Sequence, residues 1–95
     1  MPECIQANII FKGRVQGVGF RFAVEEIALN HSLTGWVKNL SNGDVQALAQ
    51  GSRPSIDAML EAVRQSRLGA NISKVKIQWE SCADVLQDFT IEYDF

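Results

Sequence analysis

An α+β sandwich of element order β-α-β-β-α-β, followed by a short fifth strand, is predicted by three features of this 95-residue sequence. Several short stretches alternate apolar and polar residues with period two, the mark of strands with one buried face. Two intervening stretches repeat instead at helical spacing. Asn42-Gly43 sits between two of the alternating runs and signals a hairpin. This order is the ferredoxin-like pattern, a mostly antiparallel sheet with two helices on one face. The fold hosts many functions, so the chemistry has to come from the residues.

Residues 5 to 12 place Ile5, Ala7, Ile9 and Phe11 on one side of a first strand. The segment Gly13-Arg14-Val15-Gln16-Gly17-Val18-Gly19-Phe20-Arg21 follows directly, and from Phe20 the period changes. Phe20, Val24, Ile27, Ala28 and His31 recur at helical spacing, opposite Glu25, Glu26 and Asn30. Thr34 to Leu40 carries Trp36, Val37 and Leu40 as a second strand, and alternation resumes after the turn at Val45, Ala47 and Ala49. Ser52 and Ser55 are alternative N-caps around Pro54 for a second helix, whose stripe is Ile56, Met59, Leu60 and Val63. Arg64 and Arg67 near its end suit the helix dipole, and Gly69 is the expected stop. Val75, Ile77 and Trp79 alternate with Lys74, Lys76 and Gln78 in a fourth strand with one wet face; Phe89, Ile91 and Tyr93 form the fifth.

Length and composition predict one domain, residues 1–95, with a modest core. The 46% apolar and 21% charged content is ordinary for a globular protein, and no apolar run approaches the roughly 20 residues of a membrane helix. No signal peptide is read at the N-terminus, so a cytoplasmic location is expected. A net charge of -2 argues against a general nucleic-acid binder, whose affinity comes from surplus Lys and Arg. Through residue 40, however, four basic residues (Lys12, Arg14, Arg21, Lys38) face three acidic ones, against five basic and eight acidic in the remainder. The glycine-rich segment thus lies in the locally positive part of an acidic chain, an arrangement suited to a small anion. Cys4 and Cys82 have no metal-site or redox-motif spacing and are expected to be reduced, structural thiols.

The glycines are what a metal-free anion cradle needs. Glycine admits left-handed backbone and close approach of a ligand, and amide N–H groups at a helix start present partial positive charge. Arg21 adds a planar, permanently charged fork that matches phosphate oxygens. The acid-base inventory is otherwise sparse. His31 falls on the apolar side of a helix near its end, where a structural role is expected, and no carboxylate or histidine cluster offers a metal site. Asn39, at the end of the second strand, reads on composition alone first as a turn-former capping the strand end and second as a functional amide.

The segments Gly13 to Arg21, Gly35-Trp36-Val37-Lys38-Asn39 and Asn42-Gly43-Asp44-Val45, with the Phe89-Thr90-Ile91-Glu92-Tyr93 ending, resemble the acylphosphatase family over essentially the whole chain. The resemblance implies a monomeric enzyme that hydrolyses small-molecule acyl phosphates to a carboxylate and inorganic phosphate, without metal or cofactor, nucleic acid or membrane. It implies that Arg21 binds the phosphate together with backbone amides of Gln16, Gly17, Val18, Gly19 and Phe20, and that Asn39 positions the attacking water. Relatives often carry an apolar residue and a glycine where this chain has His31-Ser32, a departure that bears on the helix exit, and Asp-Gly where it has Asn42-Gly43.

Two other readings compete. Acylphosphatase-like domains also begin larger carbamoyl-transferring maturation proteins, for which the substrate would be carbamoyl phosphate; no zinc-finger or transferase segment is appended here, which favours an independent enzyme. A non-enzymatic RNA-binding module shares the element order, and Gly17-Val18-Gly19-Phe20-Arg21-Phe22 superficially echoes its Gly-aromatic signature. That signature belongs on an inner strand, whereas here it precedes a helix.

Overall fold

Alternation and helical periodicity resolve into five strands and two helices in the computed structural model, which describes residues 4–93. Strands β1 (Ile5–Gly13), β2 (Thr34–Asn39), β3 (Val45–Gly51), β4 (Ile72–Ser81) and β5 (Phe89–Glu92) form one sheet in the order β4-β1-β3-β2-β5. Helix α1 (Phe20–Asn30) links β1 to β2, and helix α2 (Arg53–Gln65) links β3 to β4. Three strand pairs are antiparallel, and β5 adds to β2 in parallel. This is the ferredoxin-like order expected.

The period-two residues do what their spacing requires. Register pairs Ile9 with Ala47 and Phe11 with Val45, so the inward faces of β1 and β3 coincide. Ala7, Ile9, Phe11, Val37, Val45, Ala47 and Ala49 are fully buried against Phe20, Val24 and Ala28 of α1 and Ile56, Met59, Leu60 and Val63 of α2. Each large apolar side chain removed from water in this layer contributes roughly 1.5–3 kcal/mol, against the entropy of ordering the chain. On the opposite face Gln50 is almost fully buried because its amide donates to Gln6 Oε1 and the Asp84 carbonyl and its oxygen accepts from Leu86 N–H. That residue clamps the segment after β4 onto the sheet.

The second helix starts as one of the two alternatives: Ser52 is the N-cap, its hydroxyl accepting from Ser55 N–H, with Pro54 in the first turn. Its end differs from expectation. The helix stops at Gln65 with Ser66 as C-cap, whose hydroxyl donates to the Val63 carbonyl. Gly69 instead opens a single 3-10 turn, Gly69–Asn71, and a side chain there would run into the Arg64 carbonyl oxygen. Arg67 therefore lies beyond the helix rather than at its C-terminal dipole. β4 also differs, for it forms a sheet edge where Val75 and Trp79 are half-buried and Ile77 stays 37% exposed.

The thiol expectation is corrected outright. Cys4 and Cys82 are joined as a cystine, and no free cysteine is present. The cause is register: Ile5 pairs with Ser81, so the residues just outside the β1–β4 ladder face each other, with Cys82 N–H donating to the Cys4 carbonyl at 3.2 Å. Their Cα atoms lie 5.4 Å apart, within the span a disulfide bridges.

The His31-Ser32 departure has a structural consequence. Leu33 N–H donates to the Ala28 carbonyl and Ser32 N–H to the Leu29 carbonyl, the Schellman closure of a helix that turns left-handed at its end. The left-handed residue is Ser32, at φ 59°, the one non-glycine with positive φ among the described residues. Ser32→Gly is expected to raise the unfolding free energy by about 1 kcal/mol and the melting temperature by a few degrees, read by thermal unfolding. A lowered melting temperature would show that the serine contributes more than its backbone costs. His31 itself caps the same end, its Nδ1 2.8 Å from the Ile27 carbonyl.

Candidate active site

Between β1 and α1 the backbone makes a loop whose shape depends on two glycines. Gly17 (φ 75°) and Gly19 (φ 79°) both take left-handed conformations, and Gly19 is the N-cap of α1. A Cβ at Gly17 would meet no atom within 4 Å, so the loop is open on that side. The helix start has neither a side-chain cap nor an acidic residue in its first turn. Among the described residues, none of the N–H groups from Gln16 to Arg21 donates to a protein acceptor. A cluster of unused donors at the positive end of a helix dipole is an anion-binding arrangement.

A small cavity of about 80 Å³ lies against this loop, lined by Val15, Gly17, Gly19, Phe20, Arg21, Phe22 and Asn39. It admits a small solute, and the loop, Arg21 and Asn39 form its walls. The structure thus brings Gly17, Gly19, Phe20, Arg21 and Asn39 together. It does not bring the side chains of Gln16 and Val18 to that wall. Val18 packs against the core, and Gln16 Nε2 donates to the Leu40 and Asp44 carbonyls at 2.7 and 2.8 Å. Gln16 therefore ties the glycine loop to the β2–β3 hairpin, which carries Asn39 at its base.

Asn39 is the more telling member. Its strand direction was open from the sequence, because both faces of β2 carry apolar residues. In the structure Asn39 pairs with Val45 at the last rung of the hairpin and is among the residues that line the cavity. Its Oδ1 is buried with no hydrogen-bond partner, and is the one such side-chain atom among the described residues. An unpaired buried acceptor costs about 1–3 kcal/mol, so its retention at this position calls for a reason other than stability.

Arg21 is held by residues that sequence reasoning missed. Its Nη1 donates to the Glu92 carbonyl at 3.3 Å, and its guanidinium lies 5.0 Å from the centre of the Tyr93 ring. β5, added in parallel beside β2, delivers both groups. The signal was the Phe89 to Tyr93 alternation, which identified a strand without identifying its neighbour. Arg67 was likewise read as a helix-dipole residue, yet its Nη2 lies 4.0 Å from the position a Gly19 side chain would take.

The hairpin is braced electrostatically. Lys12 Nζ donates to Asp44 Oδ2 at 2.7 Å, Asn42 Nδ2 donates to the same oxygen at 3.2 Å, and Asp44 N–H donates to Asn42 Oδ1. The Lys12 hydrogen bond, set against partial burial, holds the Asp44 carboxyl below its ordinary value of 3.8. A carboxyl depressed by folding stabilises the native state above its unfolded value and loses that contribution as pH falls through the folded one. The stability difference between wild type and Asp44→Asn is therefore expected to be constant above about pH 5 and to close as pH drops below the ordinary carboxylate range. Chemical denaturation at a series of pH values reads this, and a pH-independent difference would contradict it.

Among the described residues no group of three His, Cys, Asp or Glu side chains could hold a metal ion, and no helix is long and apolar enough to cross a membrane.

Residues 7–91 match the acylphosphatase family profile. An acylphosphatase of Acaryochloris marina is 38% identical over 84 residues, covering 88% of this chain and 90% of the relative. One from Rhizobium etli is 42% identical over 89 residues, covering 94% and 93%. The crystal structure of acylphosphatase from Bacillus subtilis superposes with a TM-score of 0.87 at 35% identity, covering 94% of this chain and 99% of that one.

Proposed function

The chain belongs to the acylphosphatase family, and from that premise we propose that Arg21, Asn39 and the Gln16–Phe20 loop are the machinery with which it hydrolyses acyl phosphates. What most supports these roles is that Asn39, whose buried Oδ1 has no hydrogen-bond partner, lines the same small cavity as Arg21 and the glycine loop. A phosphate seated there accepts hydrogen bonds from the unused loop N–H groups and from the Arg21 fork. Asn39, on the wall of the same cavity, then holds a water beside it.

The reaction needs little else. The leaving group is a carboxylate whose conjugate acid has a pKa of about 4–5, so no general acid has to expel it. Phosphoryl transfer rests on positioning and on stabilising charge over the equatorial oxygens, which fixed N–H donors and a guanidinium supply. The water oxygen bonds to phosphorus as the bond from phosphorus to the acyl oxygen breaks. The electron pair leaves with the carboxylate, and the water proton passes to a phosphate oxygen of the substrate itself. Holding water and phosphate together converts a chance encounter into an oriented attack.

The reading extends to a single-domain monomer of the cytoplasm that works without a metal ion or nucleic acid. In that compartment the thiol pool would favour the open form of the Cys4–Cys82 pair, while the β1–β4 ladder beside it stands on backbone hydrogen bonds. The test is turnover of benzoyl phosphate by the isolated chain, with and without a chelator, and with inorganic phosphate added. Chelator-insensitive hydrolysis inhibited competitively by phosphate is expected. Chelator-sensitive activity would contradict the metal-free mechanism, and preference for carbamoyl phosphate would redirect the substrate assignment.

A further inference from the structure

A larger groove of about 470 Å³ adjoins the phosphate cavity and shares two lining residues with it, Gly19 and Phe22. Along α1 it is lined by Gly19, Phe22, Ala23, Glu26 and Ile27, which is the i, i+3, i+4, i+7, i+8 spacing of one helix face. Its other wall is Ser66, Arg67 and Leu68, the segment just past α2. The groove therefore begins at the phosphate loop and follows the helix for about 12 Å, at roughly 1.5 Å per residue.

We infer that this groove is the acyl-group subsite, selecting acyl phosphates with an uncharged apolar body of aromatic size. The inference rests on the acyl phosphate reading above. In-line attack requires the leaving oxygen to depart on the side of phosphorus away from the water. Asn39, the proposed water holder, lines the small cavity and not the groove, whereas Gly19 and Phe22 line both.

The lining sets the chemistry of the occupant. Phe22, Ala23, Ile27 and Leu68 offer an apolar wall, and Phe22, 62% exposed, leaves much of its ring free for contact. Arg67 forms no ion pair among the described residues, and its guanidinium stands at the loop end of the groove beside Gly19. There it faces the acyl oxygens, on which negative charge grows as the carboxylate departs. Glu26, about two turns further along α1, opposes an acyl chain that ends in a second anion.

Steady-state kinetics on benzoyl and acetyl phosphate test the assignment, because the acetyl methyl group offers the groove far less apolar surface than the benzoyl ring. Phe22→Ala is expected to lower the benzoyl-to-acetyl ratio of kcat/KM about tenfold, mainly through KM for benzoyl phosphate. Ala23→Leu, which fills the groove while keeping a good helix former, should lower the same ratio. An unchanged ratio in both variants, or equal losses on the two substrates, would overturn the subsite. Arg21→Ala measured alongside separates the two readings: an active Arg21→Ala refutes the phosphate site, while an inactive one with no change of ratio in the groove variants refutes the acyl subsite alone.

Discussion

Arg21→Ala is expected to abolish measurable hydrolysis of benzoyl phosphate and to remove competitive inhibition by inorganic phosphate. In the proposed site the guanidinium fork offers two parallel donors to phosphate oxygens, and losing even one donor of this kind costs about 100- to 1000-fold in rate. Arg21→Lys should recover little, because a point charge on a flexible stem cannot reproduce the fork or stack on Tyr93 in the same way. The fold should survive both changes, since Arg21 is held by one 3.3 Å hydrogen bond and a ring contact rather than by a buried ion pair. Near-normal turnover by a correctly folded Arg21→Ala protein would refute the assignment.

Asn39→Ala separates binding from chemistry. Its kcat is expected to fall by about 100-fold or more, the scale on which a lost positioning group is felt, while the affinity for inorganic phosphate stays near that of wild type. The structure adds an expectation about stability. Because Asn39 Oδ1 is buried without a partner, removing it relieves an unsatisfied acceptor, and the melting temperature should hold or rise. Calorimetric phosphate titration and thermal unfolding of the same preparation check both. Parallel collapse of phosphate affinity would make Asn39 an anchor for the phosphate instead.

Much of this was legible in the residues, for physical reasons. The β1 and β3 alternation and the α2 stripe each carry a single period, so burial follows directly from spacing, and Ala7, Ile9, Phe11, Ile56, Met59, Leu60 and Val63 are all buried. The glycine loop was legible because positive φ at two nearby positions demands glycine. What escaped was whatever depends on register between distant strands. Cys4 meets Cys82 across 78 residues because Ile5 pairs with Ser81, and nothing local to either cysteine reveals this. Glu92 and Tyr93 reach Arg21 because β5 runs parallel to β2, and Gln16 turns from the cradle to the hairpin because two carbonyls converge on its amide. Arg67 escaped because α2 ends at Gln65, so that the next turn swings its side chain over Gly19.

The position of Asn39 on the water side and of the groove on the leaving-group side both depend on attack at phosphorus. Hydrolysis of benzoyl phosphate in ¹⁸O-labelled water, followed by mass analysis of both products, tests this directly. The label is predicted in inorganic phosphate and not in benzoate. Label in the benzoate would mean that water attacks the acyl carbon, and would contradict the account.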